Sequence, residues 1–166
     1  MERERIDLSG IWRFQVDPGV EGEELGWAQP ALDDALWREV WVPSCWDVAM
    51  PSLADYQGHG WYRRWLDVPA DWRGGRITLQ FFGVHDHARV WCNGCRVGEH
   101  GDGFLGFELD ITDHVRPGEP ALVAVRSDNL RIAGEVPGLE RGWRAFGGFQ
   151  RRVELCSSDM LRLEDL

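Results

Sequence analysis

The run His85-Asp86-His87 sets two imidazoles around a carboxylate. That composition could ligate a metal or relay a proton. On a continuous strand the two rings would share a face, as ligation requires. No third ligand stands out for them, and the run directly follows Phe81-Phe82-Gly83. It reads better as the polar start of a strand leaving a core segment. Cys92-x-x-Cys95 has the spacing of half a zinc knuckle or of a redox pair. A structural zinc takes four ligands, and no second close cysteine pair exists: Cys45 and Cys156 stand apart. The Asn93-Gly94 between the thiols already accounts for their spacing as a hairpin. The sequence therefore predicts no metal and no cofactor. A glycosidase acid pair must face across a cleft with one pKa raised. Carboxylates abound here, but nothing marks two of them in that way, and no catalytic residue is assigned. Phosphate-binding Gly-rich loops, His-Glu-x-x-His and Gly-x-Ser-x-Gly are missing too.

The elements that would position these residues are strands. Trp12, Phe14 and Val16 alternate with polar neighbours, as do Ile77, Leu79 and Phe81, and Phe107, Leu109 and Ile111. Period-two alternation puts one face on a core and the other in water. Ala121–Val125 is apolar throughout, as a strand covered on both faces would be. Phe149, Val153 and Leu155 are expected to share a face, with Arg151 on that same face and either partly buried or pointing into a cleft. Asn93-Gly94, Gly101-Asp102-Gly103, Pro117-Gly118 and Pro137-Gly138 punctuate the chain. Helix evidence is confined to a turn or two over 31–38. Many short strands between turn signals predict an all-β jelly-roll sandwich.

The bulk properties narrow the function. At 166 residues the chain fits a single domain spanning 1–166, with 43% hydrophobic and 28% charged residues. A net charge of −10 with no basic concentration excludes a nucleic-acid groove and an anionic membrane surface. The opening Met1-Glu2-Arg3-Glu4-Arg5 is charged where a secretion signal is apolar. A cytoplasmic protein with reduced thiols is the expectation. The 10 Trp serve either as core and interface residues or as flat platforms for a ligand. Trp12, Trp61, Trp65 and Trp91 are assigned to packing, and His100 and Asn129 to turn-stabilising hydrogen bonds.

Several segments, taken in order, resemble one known family. They are Leu8-Ser9-Gly10-Ile11-Trp12-Arg13-Phe14, Val42-Pro43-Ser44-Cys45-Trp46 and Gly60-Trp61-Tyr62-Arg63-Arg64. Val90-Trp91-Cys92-Asn93-Gly94 follows, continuing to Gly98-Glu99-His100-Gly101-Asp102-Gly103-Phe104. Val125-Arg126-Ser127-Asp128-Asn129 and Phe146-Gly147-Gly148-Phe149 close the series. Together they resemble the N-terminal sugar-binding domain of glycoside hydrolase family 2, the β-galactosidase, β-glucuronidase and β-mannosidase family. The resemblance implies a galactose-binding-like jelly roll. It also implies a catalytic barrel and an immunoglobulin-like domain as partners, both lying outside these residues. Loops of this domain would help close a β-glycoside pocket on the barrel. In the family an Asp before the Gly-Gly pair often touches the sugar. That position falls here on Gly142, and Glu140 is the nearest carboxylate. Trp143-Arg144-Ala145 stands where an aromatic-aromatic-Asn run is common, and Gly106 where Pro is usual.

Candidate sugar- or barrel-facing residues are Trp46, Arg64, Glu140, Trp143 and Arg144. An indole face matches the C–H face of a pyranose, and Arg and Glu pair with hydroxyls. Trp46 fits a core or domain-interface position equally well. Three functions follow: a non-catalytic accessory domain of a family 2 hydrolase, a free-standing carbohydrate-binding module, or an assembly domain that has lost sugar contact.

Overall fold

The structure, a computed structural model, describes residues 4–130 and 146–159. Thirteen strands, in chain order, build it: β1 (Glu4–Asp7), β2 (Gly10–Asp17), β3 (Arg38–Val42), β4 (Ser44–Cys45), β5 (His59–Asp67), β6 (Arg76–Phe81), β7 (Val84–His85), β8 (His87–Cys92), β9 (Cys95–His100), β10 (Phe107–Asp110), β11 (Pro120–Asp128), β12 (Gly148–Phe149) and β13 (Val153–Ser158). A four-residue helix α1 (Trp46–Ala49) and three single 3₁₀ turns are the helical content of the described residues. A four-stranded sheet, β1-β13-β6-β10, faces a six-stranded sheet, β3-β2-β5-β11-β8-β9. A short third sheet, β4-β12-β7, closes one end. Every pairing is antiparallel.

The alternating residues meet between the two large sheets. Ile77, Leu79, Phe81, Val153 and Leu155 come from the smaller sheet, and Trp12, Phe14, Tyr62, Val90, Val123 and Val125 from the larger. Each such side chain contributes roughly 1.5–3 kcal/mol when fully withdrawn from water. β11 lies between β5 and β8 and is buried along 121–128, as its unbroken apolar run predicts. The Asn93-Gly94 hairpin is also as predicted. Both residues have positive φ, 48° and 82°, the backbone a two-residue turn between twisted strands requires.

Three local expectations are overturned. Residues 31–38 form no helix; they are turns leading into β3, because Trp37 is drawn onto the sheet rather than into a helical repeat. Arg151 does not share the buried face of Val153. β13 starts only at Val153, and Arg151 is exposed over Gly83. Trp65 is half exposed, so the packing role expected for it is not fulfilled.

The outer face of the six-stranded sheet carries a second apolar layer. Trp37, Trp61, Trp91, Ala28 and Ala124 form it, with Trp27 and Leu32 packed against them. Trp61 and Trp91 stack at 4.8 Å. The turn-rich excursion between β2 and β3 lies over this layer. Arg63, 1% exposed, holds that excursion from beneath. Its guanidinium donates to Asp34 Oδ2 at 2.7 Å, to Gln29 O at 3.1 Å, and to the carbonyls of Trp27 and Leu32. A buried guanidinium is tolerable because its donors are spent in this way.

Candidate functional site

The Gly147-Gly148 pair sits at the end of the sandwich closed by the third sheet. Its two glycines are dictated by aromatic neighbours. A Cβ on Gly147 would lie 1.9 Å from Trp46 Cζ2, and one on Gly148 2.3 Å from Tyr62 Oη. Gly148 also has φ +106°, which a side chain opposes. Trp46 is thereby placed under the pair, 1% exposed, against Phe14, Tyr56 and Gly60. Its ring offers no face to a sugar, and the packing alternative is the one it occupies. Asp47, next in α1, accepts the Gly147 N–H at 3.2 Å through Oδ1 and so ties α1 to β12.

Arg64 is not part of this end. It is four residues beyond Gly60 on β5, about 13 Å along the strand. Its Nη1 donates to Leu8 O at 2.5 Å and Ser9 O at 3.2 Å, and its guanidinium lies 5.8 Å from the Trp12 ring. It pins the start of β2. Glu140, Trp143 and Arg144 lie outside the described residues, between Leu130 at the end of β11 and Phe146 before β12.

The structure separates the two imidazoles of His85-Asp86-His87. His85 belongs to β7 and is 2% exposed, whereas His87 opens β8 on the outer face of the large sheet. The strand breaks between them, so they share no ligand. His85 O accepts from Ser127 Oγ at 2.6 Å, and its ring meets Phe104 edge-on at 5.4 Å. Burial holds the His85 imidazole below its ordinary pKa, with Asp86 pulling it back up. Asn129 does hold turns: Gly58 N–H donates to its Oδ1 at 2.9 Å, and its Nδ2 donates to Tyr56 O at 3.0 Å. His100 instead stacks on Phe107 at 4.5 Å.

What single motifs do not reveal is a row of polar residues crossing the outer face of the large sheet. Asp17 on β2 is the direct partner of His59 on β5. His59 partners Asp128 on β11, and Asp128 partners His87 on β8. Asp128 is flanked by His59 Nε2 at 3.8 Å and His87 Nδ1 at 3.4 Å. Burial, with Arg126 nearby, lowers the His59 pKa. Asp17 accepts from Glu21 N at 2.9 Å, Gly22 N at 3.0 Å and Trp61 Nε1 at 3.0 Å. One turn of the pleat along lie Arg126 and Arg89, cross-strand partners that both donate to Glu23 Oε1. Like charges directly opposite repel, and the bridging carboxylate offsets that repulsion. The signal available in sequence is the even spacing of His59, Trp61 and Arg63, and of Asp128, Arg126 and Ala124.

Fold and site together define an antiparallel β-sandwich domain whose larger sheet is partly covered on its outer face. Residues 6–156 match the family model for the sugar binding domain of glycosyl hydrolases family 2, and the chain belongs to that family. A β-glucuronidase of Paenibacillus borealis is 39% identical over 132 residues, which is 78% of this chain and 22% of that protein. The dog β-glucuronidase is 36% identical over 126 residues, 70% of this chain and 19% of that protein. The crystal structure of Ruminococcus gnavus β-glucuronidase superposes with a TM-score of 0.85 at 28% identity, covering 93% of this chain and 28% of that one. The chain thus spans between 19% and 28% of the length of these three proteins. Among the described residues no helix is long and apolar enough to cross a membrane.

Proposed function

We propose that the chain serves as the non-catalytic accessory domain of a family 2 glycoside hydrolase. In this reading a separate barrel domain hydrolyses the O-glycosidic bond, and the sandwich end at Gly147-Gly148 helps shape the pocket for a β-glycoside. The observation that carries the reading is the match of one domain, 6–156, within relatives several times longer. Catalytic barrel and immunoglobulin-like domains are then its partners, and carbohydrate its ligand. Glu140, Trp143 and Arg144 remain the sugar-facing candidates, because they shortly precede the Gly147-Gly148 pair in the chain. The free thiols of Cys45, Cys92, Cys95 and Cys156 support a reducing, cytoplasmic setting.

A domain exchange tests the proposal. The chain replaces the matching segment of the Paenibacillus borealis β-glucuronidase, and hydrolysis of a nitrophenyl β-glucuronide is measured. The expected result is turnover by the chimera and none by the enzyme lacking the segment. A folded chimera as inactive as the deletion overturns the proposal.

A further inference from the structure

A cleft of about 360 Å3 opens on the outer face of the six-stranded sheet, beside the layer covered by the β2–β3 excursion. Its walls are His87 and Arg89 on β8, Glu99 on β9, Arg126 and Asp128 on β11, and Leu130 just beyond. Three features distinguish it from an ordinary surface groove. First, two of its charged residues are largely withdrawn from solvent: the Arg126 and Asp128 side chains are 10% and 9% exposed. Second, Arg126 Nε has no hydrogen-bond partner among the described residues although it is buried. A buried donor left unmade costs about 1–3 kcal/mol, a loss recovered if the Arg126 side chain turns Nε toward a ligand oxygen in the cleft it lines. Third, the volume suits a small ligand buried among a few fixed polar groups.

The charges select the ligand class. Arg89 and Arg126 are already bridged by Glu23, and Arg89 also donates to Glu99 at 3.1 Å. Asp128 adds another carboxylate between two imidazoles. Fixed positive and negative charges are therefore close to balanced, within a protein of net charge −10. An anion gains little here. A hydroxyl both donates and accepts, and a pair of them meets Asp128 and Arg126 with one bond in each sense. Leu130 supplies an apolar wall for ring C–H groups.

We infer that this cleft is a binding site for an uncharged pyranose unit, held through adjacent hydroxyls by Asp128 and Arg126 and flanked by His87 and Leu130. The site rests on the sugar-binding reading above and lies on the outer face of the large sheet at the same end as Gly147-Gly148, since His85, the strand partner of Gly148, stands two residues before His87.

The test is calorimetric titration of the whole chain with methyl β-glucopyranoside, methyl β-galactopyranoside and sodium glucuronate, paired with NMR of the His87 imidazole. At least one uncharged glycoside is expected to bind saturably, with a dissociation constant on the order of 1 mM. Glucuronate is expected to bind about tenfold or more weakly, since it faces Asp128 and Glu99. Asp128→Asn, nearly isosteric, is expected to weaken the glycoside about tenfold, with unchanged near-ultraviolet dichroism. Should that variant not fold, the His87 resonances of the unmodified chain decide: they shift on glycoside addition if the inference holds. No saturable binding, tighter binding of glucuronate, or binding that moves neither His87 nor the Asp128→Asn affinity overturns it. None of those outcomes touches the domain exchange, whose failure would instead remove the accessory role.

Discussion

The two faces of the six-stranded sheet are built from the same strands but by different means. The inner face, with Trp12, Phe14, Tyr62, Val123 and Val125, is closed by hydrophobic burial against the opposing sheet. The outer face buries as deeply in places, yet it does so with Trp61, Trp91 and Arg63 beneath an excursion that has no regular structure. The inner face needs only apolar side chains of suitable size. The outer one depends on directional bonds from Arg63 and Asp17, because turn backbone brings carbonyl and amide groups that must be satisfied. The sheet then grades from packing at Trp61 to exposed chemistry at His87 within a few residues.

Removing Arg63 should break the outer layer most severely. Arg63→Ala leaves Asp34 and the Trp27, Gln29 and Leu32 carbonyls without their donor. The expected loss is about 3–5 kcal/mol in urea unfolding, as large as truncating an inner-face aromatic. A loss below about 1 kcal/mol, the range of an exposed ion pair, would mean the excursion is not held this way. Asp17→Ala removes three acceptor contacts, to Glu21, Gly22 and Trp61. About 1–3 kcal/mol should follow, together with greater quenching of indole fluorescence if the outer Trp layer opens.

Gly94→Ala probes the hairpin that connects β8 to β9, at the edge of both faces. With φ at 82° an added Cβ should cost about 1 kcal/mol, read as a small fall in thermal midpoint. The acid response should be gentlest near neutrality and should fall in two windows. Burial lowers the pKa of His59 and of His85 from 6.5 in the folded state. The unfolded chain therefore binds more protons below that value, and stability is full above about pH 6.5 and falls as the pH drops. Asp7, held below 3.8 by its hydrogen bonds from Ser9, adds a second loss only as the pH falls below that value. A thermal midpoint unchanged from pH 7.5 to 5.5 would show that the two imidazoles are not held neutral by the fold.

The same contrast explains what could be read from the chain beforehand. The inner face was legible because alternation reports a half-buried strand directly, as at Trp12, Phe14 and Val16. The central place of β11 followed from its apolar run, and the β8–β9 hairpin from Asn93-Gly94. The outer layer was not legible, since nothing in the chain marks Arg63 as buried until the irregular segment that accepts its hydrogen bonds is seen to cover it. Trp65 illustrates the reverse: an indole in the same alternation stays half exposed. Of the site, the Gly-Gly marker was visible, but the reason for it, the Trp46 and Tyr62 rings beneath, required the third dimension. The row from Asp17 to His87 needs the register of four strands, which no local pattern contains.

The central claim is that this domain handles sugar without cleaving it. The most direct measurement is release of nitrophenol from aryl β-glucuronide, β-galactoside and β-mannoside by the purified chain alone. The account predicts no release above buffer with any of them. Turnover that one carboxylate substitution within the chain abolishes would contradict it.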